Sequence, residues 1–271
     1  MNGASREALA AARERLDALT DSTSVDAGSL ADELAAVTAL LDREVSLRRV
    51  LTDPAQAGES KAELAQRLLG TQVSGPAADL VAGMVRSRWS QSRDLVDALE
   101  ELADTADLTA AQKAGKLDDV EDELFRFGRI VSGNTELRAA LTDRRATTSA
   151  KGELLRGLLG GRAQAATERL VTRLVTAPRG RSLESGLESL SKLAAERRDR
   201  MVAIVTSAVP LSDPQKQRLG AALAKLYGRK MHLNLDVDPE VLGGIRVQVG
   251  DEVINGSLAD RIEDAGRRLA G

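Results

Sequence analysis

The chain has 271 residues, 38 Lys+Arg against 41 Asp+Glu, a formal net charge of −3, and no cysteine. Disulfides, thiolate metal sites and cysteine nucleophiles are therefore excluded, and no apolar run approaches the ~18–20 residues that span a bilayer. Trp89, Tyr227, Phe125 and Phe127 are the only aromatic residues, so cores must be built from Leu, Val, Ala and Ile, and the length predicts two or three domains.

In chain order, Met1 to Leu9 lacks the basic and apolar regions of a signal peptide, so any membrane link is expected to run through a partner. Leu30, Leu34, Val37, Leu41 and Val45 recur at three- and four-residue spacing and predict an amphipathic helix. Asp53-Pro54 breaks the chain after it. Ser60-Lys61-Ala62-Glu63 reads as a capping box before Leu64 and Leu68, and Gly70 sits where that helix ends. Leu80, Val81, Met84 and Val85, then Leu95, Val96, Leu99 and Leu102, continue the helical pattern.

The pattern then repeats. A shift of 90 residues realigns Asp32 to Val85 without a gap. Asp32-Glu33-Leu34 falls on Asp122-Glu123-Leu124, Leu51-Thr52-Asp53 on Leu141-Thr142-Asp143, and Leu68-Leu69-Gly70 on Leu158-Leu159-Gly160. Leu95, Leu99 and Leu102 match Leu183, Leu187 and Leu190 at a shift of 88, which implies a two-residue deletion. Shared charged and Thr-Asp positions point to duplication of a helical bundle.

From Met201 the period changes. Val202-Ala203-Ile204-Val205 is strand-like. Ser212-Asp213-Pro214-Gln215 caps a helix carrying Leu219, Leu223 and Leu226 that ends at Gly228. Met231, Leu233, Leu235 and Val237 alternate with polar residues, as in a strand with one buried face. Gly243-Gly244 precedes the alternating Ile245, Val247 and Val249, and Gly250-Asp251 makes a two-residue hairpin signal before Val253-Ile254. Gly256-Ser257 ends that strand and caps a last helix with Ile262 and Leu269 inward. The expected fold is mainly α with a small α+β C-terminal module: a first bundle over residues 1–112, a second over 113–200, and a strand-helix-strand-hairpin-helix domain over 201–271.

Charge is segregated along the chain. Residues 1–125 carry 13 Lys+Arg against 24 Asp+Glu, and residues 126–200 carry 16 against 8. Such polarity suggests docking orientation and steering, or simply solvated helix faces. Signals for chemistry are sparse. There is no Walker A loop, no dinucleotide fingerprint and no His-Glu-x-x-His. His232, the only histidine, falls on the polar face of a predicted strand and reads as a plain exposed residue. The acidic run Asp118 to Glu123 lacks EF-hand spacing and suits a helix N-terminal turn. Arg144-Arg145, Arg179, Arg181 and Arg197-Arg198 leave nucleic-acid binding as a rival, weakened by the acidic balance and the shortage of aromatics. On residues alone the chain reads as a non-enzymatic helical adaptor, with no catalytic, cofactor or metal site.

Val237-Asp238-Pro239, Leu242-Gly243-Gly244-Ile245-Arg246-Val247 and Gly250-Asp251-Glu252-Val253-Ile254-Asn255-Gly256-Ser257 resemble the C-terminal signature of the delta subunit of F-type ATP synthases, counterpart of the mitochondrial oligomycin-sensitivity-conferring protein. Met201 to Ser212 resembles the opening of that domain, and Asn134-Thr135-Glu136-Leu137-Arg138 and Lys151-Gly152-Glu153-Leu154-Leu155 resemble the family's helical domain. The resemblance implies a non-catalytic peripheral-stalk subunit. A helical bundle would grip the alpha subunits of the catalytic head, and the C-terminal module would meet b-type stalk subunits. No cofactor, metal or nucleic acid is implied, and the membrane is reached only through partners, at the cytoplasmic face of a bacterial cell membrane. Asp238, Pro239, Gly243, Gly244, Gly250, Asp251, Gly256 and Ser257 would be structural residues of the motif. A typical member has one bundle before the α+β module, so the acidic first copy stands as an addition. The alternative is a soluble helical adaptor or nucleic-acid-binding protein unrelated to ATP synthase.

Overall fold

The structure is a computed structural model that describes residues 1–21, 25–198, 201–227, 231–238, 244–249 and 252–255. It divides into two compact units, Met1–Arg197 and Arg198–Gly271.

The helical unit opens with α1 (Gly3–Asp21). The next four helices are α2 (Ala27–Arg43), α3 (Val45–Thr52), α4 (Gly58–Leu69) and α5 (Gly75–Arg86). Ninety residues later stand α7 (Leu117–Gly133), α8 (Thr135–Thr142), α9 (Thr148–Leu159) and α10 (Ala165–Thr176), each with both ends shifted by that interval. The duplication read from the sequence is thus a duplication of structure. Between the two sets runs α6 (Ser92–Lys113), and α11 (Leu183–Arg198) closes the second.

Local chemistry sets the helix ends. Asp26 caps α2, its carboxylate accepting from the Ser29 N–H at 2.7 Å, and that hydrogen bond holds its pKa below the ordinary carboxylate value. Asn134 and Thr147 cap α8 and α9 in the same way, at 2.9 and 3.1 Å. Gly70 and Gly160 follow the last residues of α4 and α9, and Gly161 takes a left-handed φ of 69°.

Two expectations for the first copy are corrected. Val45 does not continue α2: Glu44, at φ −91° and ψ 76°, breaks the helix, and Val45 opens α3 exposed. Nor does Ser60 cap α4, which starts at Gly58 behind Ala57. Gly58 lies against the end of α5, where a Cβ would come within 2.9 Å of the Arg86 carbonyl oxygen. Glycine therefore lets the helix begin earlier than the box implied.

The unit has two apolar cores. The first joins Leu16 of α1, Leu30, Leu34 and Leu41 of α2, Leu80, Val81 and Met84 of α5, and Leu95, Leu99 and Leu102 of α6. Trp89, the third residue beyond α5, is buried with it, and its indole N–H donates to the Met84 carbonyl at 2.8 Å. The second core begins on the same α6 with Leu108 and Ala111. It continues through Val120, Leu124, Phe127 and Val131 of α7, Leu170 and Val171 of α10, and Leu187 and Leu190 of α11. Full burial of each such side chain contributes about 1.5–3 kcal/mol. The expected boundary at 112/113 falls inside α6.

In the second unit, β1 (Met201–Ser207), α12 (Asp213–Tyr227), β2 (Met231–Val237), β3 (Ile245–Val249) and β4 (Glu252–Asn255) form a mixed sheet of order β2-β1-β3-β4 with one helix. β1 pairs parallel with β2 across the α12 crossover and antiparallel with β3. The hairpin is in place, with Val249 opposite Glu252. Ala203, Val205, Val247 and Val249 bury against Leu223 of α12. Ser212 opens the helix, both its N–H and its hydroxyl donating to the Gln215 side-chain oxygen. Among the described side chains of β2, Leu233 is half-buried against the sheet's core, whereas Leu235 and Val237 are exposed, so the expected buried face is not continuous along this edge strand. His232 lies in β2. Gly228 and the expected last helix, with Ile262 and Leu269, lie outside the described residues.

Candidate interaction surfaces

The helical unit holds one arginine–carboxylate seam. On α6, Asp97, Glu100, Asp104 and Asp107 follow one another at intervals of three and four residues and so share a face. On α10, Arg169 and Arg173 are one turn apart, and Arg179 and Arg181 lie in the α10–α11 connection. These residues meet. Asp107 accepts from Arg169 Nε at 2.5 Å and from Arg173 Nη2 at 2.7 Å, and Arg173 Nη1 donates to Asp104. Glu100 accepts from Arg179, and from Arg181 at 2.7 Å, and Asp97 lies 3.1 Å from Arg179. Further along, Arg197 of α11 binds Asp17 of α1 at 2.5 Å and Gln112 of α6 at 2.8 Å.

The seam is largely dry: the Asp107 side chain is 0% exposed and that of Arg173 13%. Burial raises the Asp104 pKa to about 7. Arg173 opposes the rise, and the neighbouring Glu100 and Asp107 add to it. Burial raises Asp107 as well, against the pull of Arg173 and Arg169. Burial also disfavours the Arg173 charge, but Asp104 and Asp107 outweigh it and hold that guanidinium above its ordinary value. Desolvating such charges is costly, and only mutual pairing makes the arrangement tolerable.

The segregated charge read from the sequence is therefore partly an internal device. Acidic α6 faces basic α10 and the connection after it, and Arg179, Arg181 and Arg197, three of the arginines that suggested a polyanion partner, are paired within the chain. Sequence reasoning missed this pairing, although the heptad-like spacing of the four α6 acids was visible.

The second copy also exposes large apolar side chains. Phe125 and Ile130 of α7 are 59% and 57% exposed, and Leu154 and Leu158 of α9 are also open to solvent. A groove of about 430 Å3 runs between α7 and α11, past Phe125, Gly128, Arg129 and Glu188. Two larger clefts flank the α10–α11 connection. One of about 830 Å3 follows the seam, and one of about 810 Å3 opens beside α8. Among the described residues no cluster of three His, Cys, Asp or Glu could hold a metal ion, and no helix is long and apolar enough to cross a membrane.

Of the motif residues, Asp238 follows β2, its N–H donating to the Ser207 carbonyl at 3.0 Å. Gly244 takes a left-handed φ of 100° just before β3, a conformation that glycine alone adopts without strain. Pro239, Gly243, Gly250, Asp251, Gly256 and Ser257 lie outside the described residues. No described contact brings the motif residues together into a ligand site.

Residues 104–269 match the family described as ATP synthase delta (OSCP) subunit. The match starts in the middle of α6 and takes in the second copy and the α+β unit. Whole-length relatives extend it over the first copy. The chain is 88% identical to "ATP synthase subunit delta" of Streptomyces coelicolor, over 100% of this chain and 98% of that one. It is 83% identical to the Streptomyces avermitilis protein of the same name, over 99% and 98% of the two chains. It is 50% identical to the protein of that name from Thermobifida fusca, over 100% of both. The chain belongs to the ATP synthase delta (OSCP) subunit family.

Proposed function

We propose that the chain works as a non-catalytic tether in the peripheral stalk of a proton-driven ATP synthase, holding the catalytic head still while the rotor turns. The observation that carries this reading is membership of the delta family over the second copy and the α+β unit, with relatives of that name matching the whole length. The helical unit grips the alpha subunits of the head through the second copy, whose Phe125, Ile130, Leu154 and Leu158 stand open to solvent. The α+β module, residues 201–271, meets the b-type subunits. Asp238, Pro239, Gly243, Gly244, Gly250, Asp251, Gly256 and Ser257 shape that module and bind no ligand. The chain has no active site or cofactor and reaches the cytoplasmic face of the cell membrane only through its partners. Residues 1–112 and 113–200 act as two bundles joined by the seam. A nucleic-acid role is not favoured, because Arg169, Arg173, Arg179, Arg181 and Arg197 are already engaged with carboxylates.

The test is purification of the tagged chain from solubilised membranes, followed by depletion and re-addition. Recovery of alpha and b subunits is expected, with ATP-driven proton pumping lost on depletion and restored on re-addition while ATP hydrolysis persists. Recovery without those subunits, or pumping that ignores depletion, would overturn the reading.

A further inference from the structure

The two copies differ at one matched position in a way that leaves a vacancy. Trp89 stands three residues past the end of α5, and Arg179, ninety residues on, stands three past the end of α10. In the first copy Trp89 is 7% exposed and sits among Arg49, Thr52 and Pro54 at the end of α3, beside a hollow of about 430 Å3. In the second copy the corresponding side chain is drawn away. Arg179, at a left-handed φ of 47°, reaches Asp97 and Glu100 on α6. A non-glycine residue in that region is strained by about 1–2 kcal/mol, and the pairing with Glu100 offsets it.

The cleft beside α8 is therefore without its plug. It measures about 810 Å3, with Leu141, Leu174, Val175 and Leu183 in its floor and Arg138, Arg144, Lys151 and Arg181 around it. Arg138 faces Glu184 at 3.7 Å and Arg181 is held by Glu100. Among the described residues no carboxylate lies within ion-pair distance of Arg144 or Lys151. The matched lysine of the first copy, Lys61, is 3% exposed, and burial lowers its pKa, whereas Lys151 is only half-buried. The first copy thus shows what a filled version of this place is like: an aromatic ring over the floor and a lysine shut off from water.

We propose that this cleft receives a bulky aromatic side chain from an acidic segment of a partner protein, the ring taking the place that Trp89 takes in the first copy and the acids pairing with Arg144 and Lys151. An aromatic anchor in an apolar pocket with a charged rim is the arrangement that concentrates binding energy. The inference does not depend on which stalk or head subunit supplies the segment.

The test titrates the full-length chain into a short fluorescein-labelled peptide, one tryptophan flanked on both sides by glutamates, and reads fluorescence anisotropy. Saturable binding is expected, at least about tenfold weaker when the tryptophan is alanine. Ala139→Trp, on the exposed face of α8 at the cleft, should block it, and Lys151→Glu should weaken it several-fold, both with an unchanged thermal melt. No saturable binding at about millimolar concentrations, or binding indifferent to the tryptophan or to Ala139→Trp, overturns the proposal. Competition by inorganic phosphate that spares the tryptophan dependence supports the charged rim, whereas phosphate binding alone reduces the cleft to an anion site and overturns it. Concentration-dependent dimerisation abolished by Ala139→Trp assigns the cleft to a second copy and also overturns it.

Discussion

Asp107 and Arg173 meet at 2.7 Å where the Asp107 side chain is wholly buried, so the two copies of one helical unit are joined at a point from which water is excluded. Arg173 also serves Asp104, so its removal strands the Asp104 carboxylate and leaves Asp107 to Arg169 alone. Arg173→Met is expected to lower the stability of the helical unit by about 3–5 kcal/mol. Adding Asp104→Leu and Asp107→Leu should recover most of that loss, since Arg169 keeps a 33% exposed side chain and can hydrate. Chemical denaturation followed by circular dichroism checks both. A triple variant no more stable than the single one would show that the charges themselves are needed.

The raised pKa of Asp104 gives the seam a pH dependence of definite sign. Its folded value of about 7 lies above the model value of 3.8, so the folded state takes up a proton that the unfolded chain releases. This group's contribution to stability is greatest below pH ~4 and falls as pH rises towards ~7. Asp104→Asn should remove that slope. Relative to the parent, the variant is expected to gain on the order of 2 kcal/mol between pH 5 and pH 8. Equal pH profiles for the two proteins would contradict the assignment.

Two buried glycines at close helix approaches should respond oppositely to alanine. At Gly83 of α5 a Cβ would meet Arg15 Nη1 at 1.9 Å, the tip of an exposed, flexible side chain that can swing away. Gly83→Ala should therefore stabilise by up to about 1 kcal/mol through helix propensity. At Gly186 of α11 the Cβ would meet buried Leu174, with Cδ1 at 2.2 Å and Cγ at 3.1 Å, and turning the methyls does not clear Cγ. Gly186→Ala should cost about 1–3 kcal/mol. Thermal melts of the two variants should move in opposite directions.

A repeated tie should also show its depth in stability. Glu33 accepts from the Ser74 N–H at 2.9 Å and its hydroxyl at 2.6 Å, and Glu123 accepts from the Gln164 N–H at 2.9 Å and the Thr167 hydroxyl at 2.5 Å. Each carboxylate secures the start of a helix forty-one residues on. Thr167 is buried while Ser74 is exposed. Glu123→Ala should accordingly cost about 1–2 kcal/mol and Glu33→Ala less. A larger loss at Glu33 in denaturant titrations would count against burial as the reason.

Much of the architecture was legible in the chain. Leu80, Val81 and Met84 announced α5, the interval of ninety announced its double, and Val247 and Val249 announced a half-buried strand. Local signals failed where tertiary contact decided the outcome. Ser60 looked like a cap, but the fit of Gly58 against the Arg86 backbone moved the helix start. Leu235 alternated correctly, yet it is exposed in the edge strand while Leu233, two residues before it, packs on the core. The seam was half legible: composition gave the sign of each segment, but only the fold brings Asp104 and Asp107 of α6 to Arg169 and Arg173, more than sixty residues away. The vacancy at the α8 cleft could not be read locally at all, because it depends on which way the Arg179 side chain turns.

The helix that both cores share has a mechanical consequence. α6 runs unbroken from Ser92 to Lys113, about 33 Å of continuous backbone hydrogen bonds, with Leu95 to Ala106 in one core and Leu108 and Ala111 in the next. Most tandem domains meet at a linker, where a sideways pull is taken up by bending. Here the junction is a rod clamped at both ends, so deflection of one bundle drags the other with it instead of being absorbed between them.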